Sequence, residues 1–223
     1  MLIDHWKNRG VLKPQQNLIL AGTNADAGEM NALAQAERKK AGRLGWVGVK
    51  VNGQKLYKGD RVLFEKNARA LGVANGTLGT ITSIDRNTLT ARLDNGRYVD
   101  IPLRQYDQLR LGYAVTSHKA QGMTTRNAYV LIDSSIQHRE ISYVQASRAS
   151  ALTRFYVDEA TAGKHLINLP KLMSRSREKV MATSFQNQDA APETDRSEKR
   201  REEETRRQKS EQRSHSQSQS QSR

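Results

Sequence analysis

Two short, largely apolar runs set what this chain can fold into. Leu18-Ile-Leu-Ala21 and Tyr113-Ala-Val-Thr116 each stop abruptly at polar residues. A short unbroken run of this kind suits a parallel strand buried on both faces. After the first run, Thr23-Asn24 offers N-cap chemistry. Met30, Leu33, Ala34 and Ala41 then keep helical spacing through residues 25–41, and Gly42 and Gly45 end the helix. That is a βα unit. Leu2 to Asn8 reads as a short helix before it, with Pro14 in the loop. After the second run, Ser117–Gly122 reads as a turn leading into a helix and Tyr129–Ile132 as another buried strand. Residues 141–149 read as a helix and Phe155–Val157 as a last strand. Strands alternating with helices predict an α/β fold around a parallel sheet.

The alternation is interrupted. Between about Lys50 and Asp107 lie Asn52-Gly53, Asn75-Gly76 and Asn95-Gly96, each a strong turn signal. Strands are predicted over Arg61–Glu65, Thr77–Asp85, Leu89–Leu93 and Tyr98–Ile101, with Gly72, Gly76 and Gly79 suited to tight bends. The expected organisation is an α/β domain of residues 1–50 and 108–165, interrupted by a small antiparallel β-barrel of residues 51–107. Periodicity fades after Leu172. Residues 174–223 are rich in Ser, Gln, Arg and Glu and read as a disordered polar tail, with a transient helix through Arg196–Arg213.

The chain carries a formal net charge of +14. Residues 1–173 hold +11 of it and the tail +3. The basic excess is therefore on the ordered body, as in proteins that meet phosphates. There is no cysteine, which excludes disulfides and thiolate metal sites. The five histidines lack metal-ligand spacing. No apolar run approaches the roughly 18 residues of a membrane span. No signal-peptide pattern opens the chain. A cytoplasmic location and no membrane partner are the expectation.

Two stretches carry candidate chemistry. In Tyr113-Ala-Val-Thr-Ser-His-Lys-Ala-Gln-Gly122 a strand ends in polar residues, and ligands of open α/β sheets gather at the C-terminal ends of strands. Thr116, Ser117 and His118 can donate to phosphates there. Gly122 lets an anion approach the backbone closely. In Ser142-Tyr-Val-Gln-Ala-Ser-Arg-Ala149, Arg148 falls on the helix beginning near Ile141, where a guanidinium can answer a phosphate's charge.

Residue by residue, these stretches resemble the fifth and sixth motifs of superfamily 1 DNA helicases. In order, Leu18–Gly45, Gly59-Asp-Arg-Val-Leu-Phe64, Asn75-Gly-Thr-Leu-Gly79 and the two motifs are similar to the RecD-like helicase portion of conjugative MobF-type (TraA/TraI-like) relaxases. The resemblance covers roughly three quarters of the chain. It implies a second RecA-like motor domain whose insertion is an SH3-like barrel. It implies that Thr116, Ser117 and His118 face single-stranded DNA. It also implies that Gln121 and Gly122 face the γ-phosphate of ATP, and that Arg148 is an arginine finger reaching it across a cleft. Where the family usually carries Ala-Leu/Met-Ser/Thr-Arg, this chain has Gln145-Ala146-Ser147-Arg148, keeping Ser and Arg.

A phosphate-gripping Walker A loop needs Gly-x4-Gly-Lys-Ser/Thr. Gly22-Thr-Asn-Ala-Asp-Ala-Gly28 has the wrong spacing, and Glu29-Met30 stands where Lys-Ser/Thr is required. No apolar strand ends in the acidic pair of a Walker B motif. ATP and Mg²⁺ are therefore expected only together with a first motor domain. Three readings stand: part of an ATP-dependent DNA helicase of the conjugative relaxase family, a non-catalytic single-stranded DNA-binding module, or a truncated reading frame. For the first, a separate first motor domain or relaxosome components are the expected partners.

Overall fold

The computed structural model describes residues 1–176. Helix α1 (Leu2–Gly10) leads to strand β1 (Asn17–Ala21) and helix α2 (Asn24–Lys40). Seven strands follow: β2 (Gly48–Val51), β3 (Gln54–Tyr57), β4 (Arg61–Phe64), β5 (Leu78–Asp85), β6 (Thr88–Leu93), β7 (Tyr98–Pro102) and β8 (Leu109–Leu111). The chain then runs through β9 (Ala114–Thr116), β10 (Thr125–Leu131), α3 (Arg139–Ala146) and β11 (Ala149–Tyr156). It continues into α4 (Glu159–Ala162) and α5 (Leu169–Ser174). Apart from Ser174–Ser176, the tail read at residues 174–223 lies outside the described residues. No described helix is long and apolar enough to cross a membrane.

The four strands β11-β10-β1-β9 pair in that order, all parallel. Every residue of β1 is buried. Ile19 and Ala21 pack with Trp6 of α1 and with Ala27 and Ala34 of α2. Leu18 and Leu20 pack on the opposite side with Val115, Val130 and Ile132, against Leu172 and Met173 of α5. Burial on both faces is why the run is apolar without alternation.

The excursion β2–β8 is antiparallel throughout. β2 and β3 form a separate hairpin closed by Asn52-Gly53, both at positive φ. The other five strands pair in the order β7-β6-β5-β4-β8. Asn95-Gly96 turns β6 into β7, and Asn75-Gly76 lies on the approach to β5. The β2–β3 hairpin and β8 were not foreseen as strands. Leu109–Leu111, assigned by sequence to the α/β layer, pairs with β4. The antiparallel strands thus run from Gly48 to Leu111, and among the described residues no ladder joins the edge strands β7 and β8.

A helix after β9 was expected and is absent: residues 117–122 form turns. Eight residues separate β9 from β10. As a helix they would rise about 12 Å, whereas a strand of seven residues such as β10 spans about 20 Å. The connection must descend toward the start of β10, so its turns do not extend into a helix. Gly122, at φ 86°, would end a helix there in any case.

Two buried polar clusters from α2 hold the place where the excursion returns. The Asn31 side chain accepts from the Tyr113 and Ala114 amides at 2.8 and 2.9 Å and donates to the Ala114 carbonyl at 2.8 Å. It stands in for a neighbouring strand at the start of β9. Nearby, the fully buried Asp60 carboxylate accepts from Tyr113 Oη (2.5 Å), the Tyr57 amide (2.8 Å) and Gln35 Nε2 (2.7 Å). Arg38 donates to the Val11 and Gly59 carbonyls. Burial pushes the Asp60 carboxyl above its ordinary range, against those hydrogen bonds and the Arg38 charge.

Replacing Asn31 with Leu strands three buried backbone groups and is expected to lower the unfolding free energy by at least about 2 kcal/mol, read by urea denaturation. Asp60 predicts a pH dependence. Its proton is held more tightly in the folded chain than in the unfolded one. The stability this contributes is full below the unfolded carboxyl's pKa of about 3.9 and is lost as pH rises through the folded value. The stability of wild type relative to Asp60→Asn should therefore fall as pH is raised from about 3.5 to 7, measured by urea unfolding across that range.

Candidate functional site

Strand β9 lies beside β1, with Thr116 level with Ala21. Ser117 extends that pairing: its amide and hydroxyl both donate to the Ala21 carbonyl, at 3.0 and 3.2 Å. The chain then folds through successive turns, Ala120 N to Thr116 O (3.0 Å), Gln121 N to His118 O (3.2 Å) and Met123 N to Ala120 O (2.9 Å). Thr116 Oγ1 accepts from the Lys119 amide at 3.3 Å.

Helix α3 and the turn that follows it grip this segment at two heights. Buried Gln145 donates from Nε2 to Ser117 Oγ at 2.9 Å. Its Oε1 accepts from Gln137 Nε2 (2.9 Å), which also reaches Ser142 Oγ (2.7 Å), and that hydroxyl donates to the His138 carbonyl (2.8 Å). The result is a chain of buried polar side chains linked to one another, with Gln137 Oε1 the one atom in it that has no protein partner. Three residues beyond Gln145 and past the end of α3, Arg148 takes the lower part. Its Nη1 donates to the carbonyls of Met123 (3.1 Å) and Ala120 (3.4 Å), its Nε to Val144 O (2.9 Å) and its Nη2 to Ser147 Oγ (2.9 Å).

Arg148 is not on the helix, as the sequence suggested. α3 ends at Ala146, Ser147 caps it, and Arg148 occupies the turn before β11. Because all four strands are parallel, the end of β9 and the start of β11 lie toward opposite ends of the sheet. The site is strung along the height of the sheet and is not confined to one edge.

The side chains differ sharply in access. Thr116 is 8% exposed and Ser117 1%, while His118, Gln121 and Gly122 are exposed and Arg148 is half-buried. Of the three residues read as nucleic-acid contacts, only His118 offers its side chain freely; Ser117 is spent on Ala21 and Gln145. Gln121 and Gly122 present an exposed bend within one turn of the Arg148 guanidinium. An anion resting there would meet backbone and amide donors with a cation beside them.

The turn is also tied to the excursion. Lys119 Nζ pairs with Glu65 at 2.6 Å, and Arg110 reaches the same carboxylate at 2.8 Å. Met123 packs against the buried cluster that includes Leu63 of the antiparallel sheet. Sequence reasoning missed Gln137, Glu65 and Asn31 because isolated polar residues with no periodic partner carry no local signal. The N-terminus of α2, where the rejected glycine segment lies, is capped by its own chain: Thr23 Oγ1 accepts from the Asp26 amide at 3.1 Å and donates to the Asp26 carboxylate at 2.7 Å.

A 153-residue stretch, 66% of this chain, is 33% identical to the conjugal transfer protein TraA of Agrobacterium fabrum. A stretch of 115 residues, 49% of the chain, is 26% identical to the RecBCD enzyme subunit RecD of Buchnera aphidicola. The chain spans only 14% and 19% of those relatives' lengths. The Pif1 helicase from Bacteroides, solved in complex with ADP-AlF3 and ssDNA, superposes with a TM-score of 0.49 at 22% identity, over 70% of this chain and 44% of that one. No family model matches the chain. Its sequence relatives are thus TraA conjugal transfer proteins and RecD helicases.

Arg148→Ala should loosen the turn without unfolding the sheet. The expected result is faster amide exchange across residues 117–124 with unchanged exchange in β6, read by hydrogen-exchange mass spectrometry. Lysine, a point charge without the planar fork, should not restore protection.

Proposed function

We propose that this chain is the second, RecA-like motor domain of an ATP-dependent DNA helicase that acts in conjugal transfer, with Gly48–Leu111 as its SH3-like insertion. The observation that carries the reading is the joining of the Gln121-Gly122 bend to Arg148 through the Ala120 and Met123 carbonyls. The two stretches that resemble helicase motifs are far apart in sequence yet make one surface. The relatedness to TraA and RecD proteins supports it.

In this reading His118 and the polar turn around Thr116 meet single-stranded DNA. Gln121 and Gly122 lie against the γ-phosphate, and Arg148 steadies its charge. ATP with Mg²⁺ supplies the cleavable phosphoanhydride once a first motor domain, on this chain's natural continuation or a separate one, holds it. This chain's own share is orientation and a cation. To act across a cleft, Arg148 must exchange carbonyl partners for phosphate oxygens. That exchange couples the nucleotide to the turn beneath the DNA contact.

A non-catalytic single-stranded DNA-binding module is the second reading. One observation favours it: every guanidinium nitrogen of Arg148 is already bonded within the chain.

The test has two parts. Fluorescence anisotropy with a labelled single strand should show binding that weakens steeply as salt rises, because neutralised phosphates release counterions. His118→Ala should weaken it severalfold. The chain alone should not hydrolyse ATP. With a first motor domain supplied, DNA-stimulated turnover should appear and fall by about 10³-fold in Arg148→Ala, DNA affinity being little changed. Turnover indifferent to Arg148 leaves the binding module as the better reading. Absence of DNA binding at low salt sinks both.

A further inference from the structure

Trp46 is 100% exposed and its neighbour Val47 78%. Tryptophan is among the side chains a fold hides most thoroughly on average. The other tryptophan, Trp6, is fully buried, edge-on to Tyr113 at 5.9 Å. The segment bearing Trp46 is not a loose end. The Gly45 amide donates to the Lys58 carbonyl at 2.8 Å and the Arg43 amide to the Arg38 carbonyl at 2.9 Å. Trp46 therefore projects from a pinned backbone between α2 and the β2–β3 hairpin.

The stretch of chain that carries it is one-signed. Residues 38–59 hold seven Lys and Arg and no Asp or Glu, half the formal charge of the chain in 22 residues. Arg38 is buried, but Lys39, Lys40, Arg43, Lys50, Lys55 and Lys58 are exposed. Lys39 and Lys40 complement the carbonyl end of α2, and Lys40 pairs with Glu37 at 2.7 Å. That leaves Arg43, Lys50, Lys55 and Lys58 with no such explanation. Tyr57, opposite Gly48 in the hairpin, has Lys39 Nζ 4.7 Å and Lys55 Nζ 5.6 Å from its ring centroid. This gathers two cations on the hairpin that begins two residues after the tryptophan.

We infer that Trp46 and its cationic surround are a second contact for single-stranded nucleic acid, in which an unpaired base stacks on the indole while Arg43, Lys50 and Lys58 meet the flanking phosphates. The inference rests on the reading that the chain binds single-stranded DNA. It adds a site at the far end of α2, about 25 Å along that helix from Thr23. A flat apolar ring among cations matches a flat apolar ring among phosphates. In a duplex both faces of a base are already stacked, so the partner is a single strand. A protein partner fits less well, because lysine is depleted from protein interface cores and, among the described residues, Val47 is the one exposed large apolar neighbour of Trp46 along the chain.

Because Trp6 is buried, iodide quenching of intrinsic fluorescence reports Trp46 alone. The full chain is titrated at low salt with an oligothymidylate, with an abasic strand of equal length, and with anionic phospholipid vesicles. The expected result is that oligothymidylate shifts the emission and shields it from iodide, whereas the abasic strand does neither. Trp46→Ala should weaken oligothymidylate binding by about tenfold and leave abasic binding unchanged, and Trp46→Phe should keep most of the affinity. Oligothymidylate bound with Trp46 still open to iodide, and with affinity sensitive to His118→Ala alone, overturns this site and leaves the helicase reading intact. Equal responses to both strands reduce it to a charge patch without stacking and overturn it as well. A response to vesicles only overturns it in favour of a membrane surface. No binding of any strand removes this site and the reading it rests on together.

Discussion

One side-chain amide holds the chain's return from its long excursion. Between α2 and β9 the backbone spends Gly48–Leu111 in a hairpin and a five-stranded antiparallel sheet, then must resume beside β1 in register. β9 is a three-residue edge strand, too short to hold its place by its own ladder. Asn31 supplies the missing partner from the side, taking two amides and one carbonyl. Asp60 and Tyr113 lock the same junction from the excursion's side. The placement of Thr116, Ser117 and the turn below them follows from that anchorage.

From β9 onward, position is passed along by polar contacts inside an apolar layer. Ser117 reads the height of β1 through Ala21, Gln145 reads Ser117, and Gln137 with Ser142 fixes Gln145. Such a network specifies one arrangement because each member left unpaired would carry a desolvation cost of about 1–3 kcal/mol. The exposed residues His118, Gln121 and Gly122 ride on this buried frame. The division of labour is clear: the buried half of the motif sets geometry and the exposed half is free to meet a ligand.

The large features were legible in the sequence for identifiable reasons. β1 and the second half of β10 declared themselves because burial on both faces leaves an unbroken apolar run there, whereas Thr125, Arg126 and Asn127 hid where β10 begins. The turns at Asn52, Asn75 and Asn95 declared themselves because Asn-Gly accepts positive φ cheaply. The β2–β3 hairpin and β8 were hidden, since they mix polar and apolar residues over only three or four positions, too few to show a period, and lack the apolar run that marked the equally short β4 and β9. The missing helix after β9 was a matter of distance, which local propensity does not measure. The two candidate stretches can be read in the sequence, but the access of their side chains cannot: the burial of Ser117 and the position of Arg148 beyond α3 depend on partners 28 and 25 residues away in the chain.

All but one of Arg148's acceptors are main-chain carbonyls. A carbonyl is present whatever side chain its residue bears. The clasp is therefore indifferent to which amino acids occupy Ala120, Met123 and Val144, provided they pack. It is acutely sensitive to how many residues lie between them. Over evolutionary drift this stretch should accept exchanges of side chain and refuse changes of length, so that its spacing outlives its spelling.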